Sequence, residues 1–144
     1  MGRDLRNTIA AGPLTRGTNI IVPAVIADLC AVVIYVGVGR AAHNESLSLP
    51  GFLSTSWPFL VGVGGGYLGV VLTRWPVLSL RGGVVVTGKC LIIGLVLRYG
   101  VQREGTPFPY VVVTVLVLTA LMLGWRIAAL TWLRRSQPSP TSLA

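Results

Sequence analysis

Residues 20–38 read IIVPAVIADLCAVVIYVGV, an apolar stretch with one carboxylic acid, Asp28, inside it. Its length is close to the roughly 20 residues that a helix needs to cross a bilayer. A charged side chain is costly within lipid, so an acid at this position needs a cationic partner, a water-filled cavity or a function. We therefore predict a transmembrane helix around which the rest of the chain is arranged.

Three further apolar stretches and the composition extend this prediction to the whole chain. Of the 144 residues, 53% are hydrophobic and only 11% are charged, whereas soluble domains carry roughly 25% charged residues. A bilayer acts as an apolar solvent and can accept such a chain. The predicted fold class is all-α, an integral membrane bundle of four transmembrane helices. A single domain at 20–133 holds spans at about 20–38, 52–72, 83–100 and 108–133.

The net charge of +8 indicates how the protein lies in the membrane. Its basic residues lie at the ends of apolar stretches and form no stripe, which favours anionic lipid headgroups over nucleic acid as partners. Arg40 and Arg103 fall at one end of the spans, or three residues if Arg98 is counted with them. Those at the other end are Arg3, Arg6, Arg16, Arg74, Arg81, Arg126, Arg134 and Arg135. The positive-inside rule then predicts a multi-pass plasma membrane protein with cytoplasmic termini, including an N-terminal tail (1–19) and a disordered C-terminal tail (134–144).

A weak internal sequence similarity suggests that two helical hairpins, the first formed by spans one and two and the second by spans three and four, are related by a parallel repeat. The first and third spans end in Gly-Arg and Arg-Tyr-Gly sequences, at 37–40 and 97–100. The spans that follow them open with proline next to aromatic residues, at 57–59 and 107–110. Such pairs are common at membrane interfaces, so chance is a serious alternative to a repeat.

Helical periodicity places small residues around the acid of the first span. One face consists of Ala24, Ala27, Asp28, Ala31 and Tyr35. The opposite face consists of Val22, Ile26, Leu29 and Val33. Small residues let another helix approach closely, and branched aliphatic residues suit lipid. Asp28 is therefore expected to face protein or a wet cavity.

The second span carries four glycines on one face. They are Gly62, Gly65, Gly66 and Gly69, which form two overlapping GxxxG spacings. In lipid this spacing favours close helix contact. We predict a helix-packing seam that could also receive a second copy of the chain. The alternative is a path for a small solute lined by the helix backbone.

Three basic residues compete as partners of Asp28. Depth favours Lys89, because Asp28 and Lys89 lie ~12 Å and ~9 Å from the cytoplasmic ends of their spans. Arg98 lies ~22 Å from that side, but it shares a face with small residues of the third span. Arg126 lies near the cytoplasmic interface, to which a long basic side chain is expected to extend. The candidate charge network therefore holds Asp28, Lys89, Arg98 and Arg126, with the pairing left open.

Other residues are expected at the membrane interfaces. They are Arg40, His43, Trp57, Pro58, Trp75 and Trp125. His43 lies in a loop beside Glu45, and one histidine with one glutamate makes neither a metal site nor a nucleophilic triad. We therefore expect no catalytic residue, metal or cofactor.

Several short sequences together resemble a prokaryotic family of small four-span membrane proteins, domain of unknown function 3054. They are Asp28, Gly39-Arg40 with His43, Trp57-Pro58-Phe59 with Gly62, Leu97-Arg98 and Gly124-Trp125-Arg126. The resemblance covers about Ile20 to Ala128 and includes neither Lys89 nor the tails. It implies a four-span architecture and favours Arg98 and Arg126 over Lys89 as partners of Asp28. It supplies no activity.

Two functions remain open at this point. An embedded acid with facing arginines is typical of a small-solute or ion-coupled transporter. The alternative is a non-catalytic membrane subunit or assembly factor, in which the pairing of Asp28 with a basic residue is structural. In either case we expect a homo-oligomer or a larger membrane complex.

Overall fold

The computed structural model describes residues 18–43, 48–103 and 107–136. Within these ranges the helices are α1 (Thr18–Ala42), α2 (Leu49–Thr73), α3 (Leu80–Gly100) and α4 (Phe108–Arg135). All four are long and apolar enough to cross a membrane. The predicted all-α, four-span fold is confirmed, and each helix extends past its predicted span at one or both ends. Both tails lie largely outside the described residues, and Glu45 and Glu104 lie wholly outside them.

Local sequence explains where α2 and α3 begin and end. The Ser79 hydroxyl accepts a hydrogen bond from the Gly82 N–H (3.0 Å), which caps the start of α3. Pro50 lies in the first turn of α2, where a missing N–H costs nothing. At the end of that helix, Arg74 adopts a left-handed conformation (φ 55°) and its N–H bonds the Val71 carbonyl. The connection between α2 and α3 is therefore short and sharply turned.

The helices form a closed ring in which each packs mainly against two neighbours. The most extensive contact joins α2 and α3, and smaller contacts join α3 to α4, α1 to α2 and α1 to α4. The two helices furthest apart in sequence therefore meet and close the bundle. The most extensive contact falls between the two predicted hairpins, and their relation by a repeat stays a prediction.

The glycine seam of α2 packs against α3. A Cβ atom on Gly62 would lie 2.7 Å from the Cα of Cys90, and one on Gly66 would lie 2.7 Å from the Cα of Val86. Backbone thus approaches backbone, at a separation that only glycine permits. The seam is filled by α3 at Gly62 and Gly66, which leaves no room there for a backbone-lined path, and the contact with a partner copy stays a prediction. Sequence spacing identified the face but not its occupant.

The buried face of α1 is the one that periodicity predicted. Ala24, Asp28, Ala31 and Tyr35 are buried, whereas Val22 and Ile26 on the opposite side are exposed to the surroundings of the bundle. Small side chains leave room in the interior for larger ones from α2 and α4. Tyr67 of α2 and Trp125 and Arg126 of α4 fill this room beside Asp28.

Candidate functional site

Asp28 and Arg126 form an ion pair in the middle of the bundle. Arg126 Nη1 donates to Asp28 Oδ1 at 2.8 Å, and Nη2 donates to Oδ2 at 2.6 Å. Both side chains have 0% exposure. Two parallel bonds between a guanidinium and a carboxylate form the strongest type of ion pair and fix its geometry. The pair joins α1 directly to α4.

Two aromatic side chains complete the surroundings of the carboxylate. The Tyr67 hydroxyl of α2 donates to Asp28 Oδ2 at 2.8 Å, and the Trp125 indole N–H donates to Oδ1 at 2.8 Å. Each carboxylate oxygen therefore accepts two hydrogen bonds. Four donors from two helices stabilise the charged form of the acid and offset its burial.

Neighbouring residues also hold the guanidinium of Arg126 in place. Its Nη1 donates to the Met122 carbonyl at 2.7 Å, one turn earlier in α4. Its Cζ lies 4.6 Å from the centroid of the Trp125 ring, within cation–π range. A Cβ atom on Gly83 of α3 would lie 2.6 Å from Arg126 Cδ, so this glycine makes room for the arginine. All four helices thus contribute to one charge cluster, the Asp28 cluster (Asp28, Tyr67, Gly83, Trp125 and Arg126).

The structure changes three expectations about basic and interfacial residues. Lys89 is exposed on the outside of α3 and does not reach Asp28, so the pairing favoured by depth was wrong. Arg126 is buried and does not extend to the interface. Trp125 is half-buried and its indole N–H donates inward to Asp28, a contact that the interfacial prediction did not include. Depth along a helix predicts the level of a side chain but not the direction in which it points, and direction decides the pairing.

Arg98 and Arg40 lie away from Asp28, toward the end of the bundle where α1 and α3 finish. There the helices surround a cavity of about 650 Å³. Its polar and basic lining includes Tyr35, Arg40, His43, Thr55, Arg98 and Tyr110. A cavity of this size falls within the roughly 300–1,000 Å³ typical of small-molecule sites.

The arginines of this cavity are held by neighbouring residues. Arg40 Nη1 donates to the Thr55 hydroxyl at 3.0 Å and to the Gly51 carbonyl at 3.2 Å. The Thr55 hydroxyl in turn donates to the Gly51 carbonyl. The Arg98 guanidinium lies over the Tyr110 ring, with Cζ 4.8 Å from the centroid. The cavity therefore presents two oriented cations, one from α1 and one from α3.

A polar pair lies at the inner end of the cavity, on the side toward the Asp28 cluster, and one of its members, Tyr35, is part of the lining. Tyr35 and Thr114 share a hydrogen bond of 2.6 Å. Because the Thr114 hydroxyl donates to the Tyr110 carbonyl, Tyr35 is the donor in that bond. The Tyr35 ring contacts Phe59 edge-on, at 5.6 Å between centroids. Phe59 is buried and separates this polar pair from α3.

The remaining interfacial candidates differ in exposure. Trp75 and His43 are exposed, which fits an interfacial position. Trp57 is half-buried and Pro58 is buried within α2. The aromatic residue and proline at the start of the second span therefore pack inward more than the pattern indicated.

Sequence reasoning missed Tyr67, Thr114 and Gly83. Tyr67 carried a usable signal, since a tyrosine in the middle of an apolar span needs a hydrogen-bond partner for its hydroxyl. Thr114 carried a weaker one, because a threonine can bond its own helix backbone. Gly83 carried none, because its role depends on the size of a side chain from another helix.

Residues 25–129 match the family described as Protein of unknown function (DUF3054). Neither the curated proteins nor the solved structures contain a match to the chain. The matched region includes every member of the Asp28 cluster and the described cavity residues named above. It covers most of the chain, which confirms the resemblance drawn from Asp28, Arg98 and Arg126. The chain therefore belongs to the DUF3054 family of four-span membrane proteins.

Proposed function

We propose that this protein is a carrier for a small solute, with the arginine-lined cavity as its entry site and the Asp28 cluster as its closed end. The observation that supports this most is the sequence of polar groups through the bundle. The cavity, the Tyr35–Thr114 pair and the Asp28–Arg126 pair follow one another along the helices. Ionisable side chains are costly inside a membrane bundle and by default mark a solute path or a proton relay.

The geometry fits one state of an alternating-access cycle. The cavity is open at one end of the bundle, and about 12 Å of helix separates Val36 in its lining from Asp28. Beyond the inner end of the cavity, the two hydrogen bonds between Arg126 and Asp28 join α4 to α1. A carrier needs such a contact to break and reform during its cycle. The membrane is the plasma membrane in this proposal, with both termini in the cytoplasm and the cavity facing outward.

Cysteine labelling from both sides of the membrane tests the carrier. On a Cys30→Ser/Cys90→Ser background, Val36→Cys places a thiol at the innermost point of the cavity lining, where the native side chain is only 2% exposed and labelling is therefore slow. A carrier exposes the inner part of its cavity to each side in turn. We therefore expect a membrane-impermeant maleimide to label Val36→Cys in intact cells and also in inside-out vesicles.

Ser54→Cys is the matched control, since Ser54 is exposed and also lines the cavity. It should be labelled in intact cells and stay unlabelled in inside-out vesicles. Labelling of Val36→Cys from the cavity side alone would contradict the carrier. Labelling of Ser54→Cys only in inside-out vesicles would reverse the proposed orientation.

One observation favours a second candidate, a non-catalytic membrane subunit or assembly factor. Each oxygen of the Asp28 carboxylate already accepts two hydrogen bonds, and the ion pair is fully buried. A saturated pair of this kind suits a permanent structural role in fixing how the helices meet. If the protein is a subunit or assembly factor, Val36→Cys should be labelled only from the side of the membrane on which the cavity opens.

A further inference from the structure

Lys89 places a positive charge on the outside of the bundle at the middle of a membrane-spanning helix. It is the tenth of the 21 residues of α3, so ~14 Å of helix precedes it and ~16 Å follows it. Its side chain is exposed, and so are those of Ile92 and Val96 on the same side of the helix. In this surface, the Lys89 face (Lys89, Ile92 and Val96), a cation has apolar neighbours and lies about as far from both membrane interfaces as α3 allows.

The Lys89 face lies beside the contact between α3 and α2. Val85 and Ile93, one turn before and one turn after Lys89, both approach glycines of α2. A Cβ atom on Gly69 would lie 3.4 Å from Val85 Cγ1, and one on Gly65 would lie 2.7 Å from Ile93 Cδ1. Because residues four apart share a helix face, Lys89 lies at the edge of this contact. A further helix packed there would contact both α2 and α3.

The chain itself offers no carboxylate to Lys89. Asp28 is the one acid among the residues that the structure describes, and it already accepts four hydrogen bonds inside the bundle. The other three acids of the sequence lie outside the four helices; they are Asp4, Glu45 and Glu104. A second copy of this chain therefore has no free carboxylate within its spans to place opposite Lys89.

We propose that the Lys89 face docks a transmembrane helix of a different protein, which presents a carboxylate to Lys89 near the middle of the bilayer. An ionisable side chain within lipid is costly alone and is most often paired. A carboxylate on the partner helix is costly for the same reason, so each charge compensates the other. Ile92 and Val96 are exposed beside the lysine and would pack against the same helix.

Lysine also has a simpler way to compensate its charge, since its apolar stem can extend along the helix toward the headgroups. A helical side chain leans toward the helix N-terminus, so Lys89 would extend toward Arg81 at the start of α3. Arg81 lies eight residues earlier, ~12 Å along the helix axis. A stem of four carbons covers only part of that distance, so the ammonium group stays within the apolar layer and still needs a partner.

A model transmembrane peptide tests the interface on the full-length protein. The peptide has about 20 leucine and alanine residues, enough to span a bilayer, with one aspartate at its centre. Ser136→Cys on the Cys30→Ser/Cys90→Ser background carries a donor fluorophore at the exposed end of α4, and the peptide carries the acceptor. In phosphatidylcholine liposomes, energy transfer should show about five- to thirtyfold tighter association of this peptide than of the same peptide with a central leucine, the range for one polar contact between membrane helices.

Lys89→Gln should remove this preference, whereas Arg81→Gln, the matched control, should keep it. Arg81 is also exposed on α3 but lies at the start of the helix, so the control removes the same charge at a different depth. Lys89→Glu should reverse the preference and favour a peptide with a central lysine, a result that depends on the charge pair and not on the shape of the surface. Equal association of the aspartate and leucine peptides with the wild type, or a preference that survives Lys89→Gln, would overturn the proposal.

Anionic lipid is the competing partner for Lys89. Replacing part of the phosphatidylcholine by phosphatidylglycerol should leave the preference for the aspartate peptide unchanged. Loss of the preference in these liposomes would assign the lysine to the headgroups and overturn the docked helix. The interface does not depend on the carrier, because Lys89 lies on the outside of the bundle and is not part of the cavity lining. Two-sided labelling and peptide association can therefore fail separately.

Discussion

Asp28→Asn and Arg126→Gln are each expected to destabilise the protein by roughly 3–5 kcal/mol, the cost of leaving one member of a buried ion pair without its partner. Asp28→Asn keeps the size of the side chain and removes its charge, whereas Arg126→Gln removes the charge and also shortens the side chain, with loss of its contacts to the Met122 carbonyl and the Trp125 ring. Asp28→Asn leaves the Arg126 guanidinium buried at 0% exposure, and Arg126→Gln leaves the carboxylate in the same position. Unfolding by sodium dodecyl sulfate in mixed micelles, followed by circular dichroism, measures the loss.

Lys89→Gln is the control for this prediction. It removes one positive charge from a membrane-spanning helix, but Lys89 is exposed and does not contact the Asp28 cluster. A change within about 0.5 kcal/mol is expected for an exposed position of this kind. Equal destabilisation by Lys89→Gln and Arg126→Gln would show that stability depends on the number of positive charges in the spans and not on the Asp28–Arg126 ion pair.

Gly66→Ala is expected to destabilise the bundle by roughly 1–3 kcal/mol, the usual cost of forcing extra volume into a packed contact. The new methyl group would lie 2.7 Å from the Cα of Val86 and 2.9 Å from its carbonyl oxygen. Neither backbone atom can rotate away, so α2 and α3 must separate along their most extensive contact. The same unfolding assay measures this change.

Gly64→Ala makes the identical substitution two residues earlier in the same helix. Its Cβ would meet nothing within 4 Å, and Gly64 is exposed. Alanine favours helix over glycine by about 1 kcal/mol, so this variant should be slightly stabilised. The two substitutions therefore differ in sign, and destabilisation of both to the same extent would contradict the seam.

The fold could be predicted from the sequence because it is determined by hydropathy along the chain, which can be read without knowledge of tertiary contacts. Long apolar stretches separated by polar and proline-containing segments give the number of spans and their approximate ends. The inward face of α1 was also predictable, since small residues recur around Asp28 at helical spacing. Both arguments need only the periodicity of a single helix and no information about its neighbours.

The pairing within the site could not be predicted in the same way. Lys89 and Arg126 are both basic residues in the half of the bundle where α3 begins and α4 ends, and only the rotation of α3 and α4 separates the exposed one from the buried one. The role of Trp125 depends on the same rotation. Hydropathy along α4 is too uniform to fix that angle, because apolar side chains cover most of its circumference. The family resemblance favoured Arg98 and Arg126 over Lys89 as partners of Asp28, and of these two only Arg126 pairs with the acid.

A double-mutant cycle between Asp28 and Arg126 tests the central claim most directly. If Arg126 is the partner that holds Asp28 in the bundle, Asp28→Asn/Arg126→Gln will be more stable than either single variant, because no charge is left buried alone. The coupling free energy should then exceed about 1.5 kcal/mol, while the matching cycle between Asp28 and Lys89 gives a value near zero. Additive losses at Asp28 and Arg126, or a larger coupling to Lys89, would contradict this account.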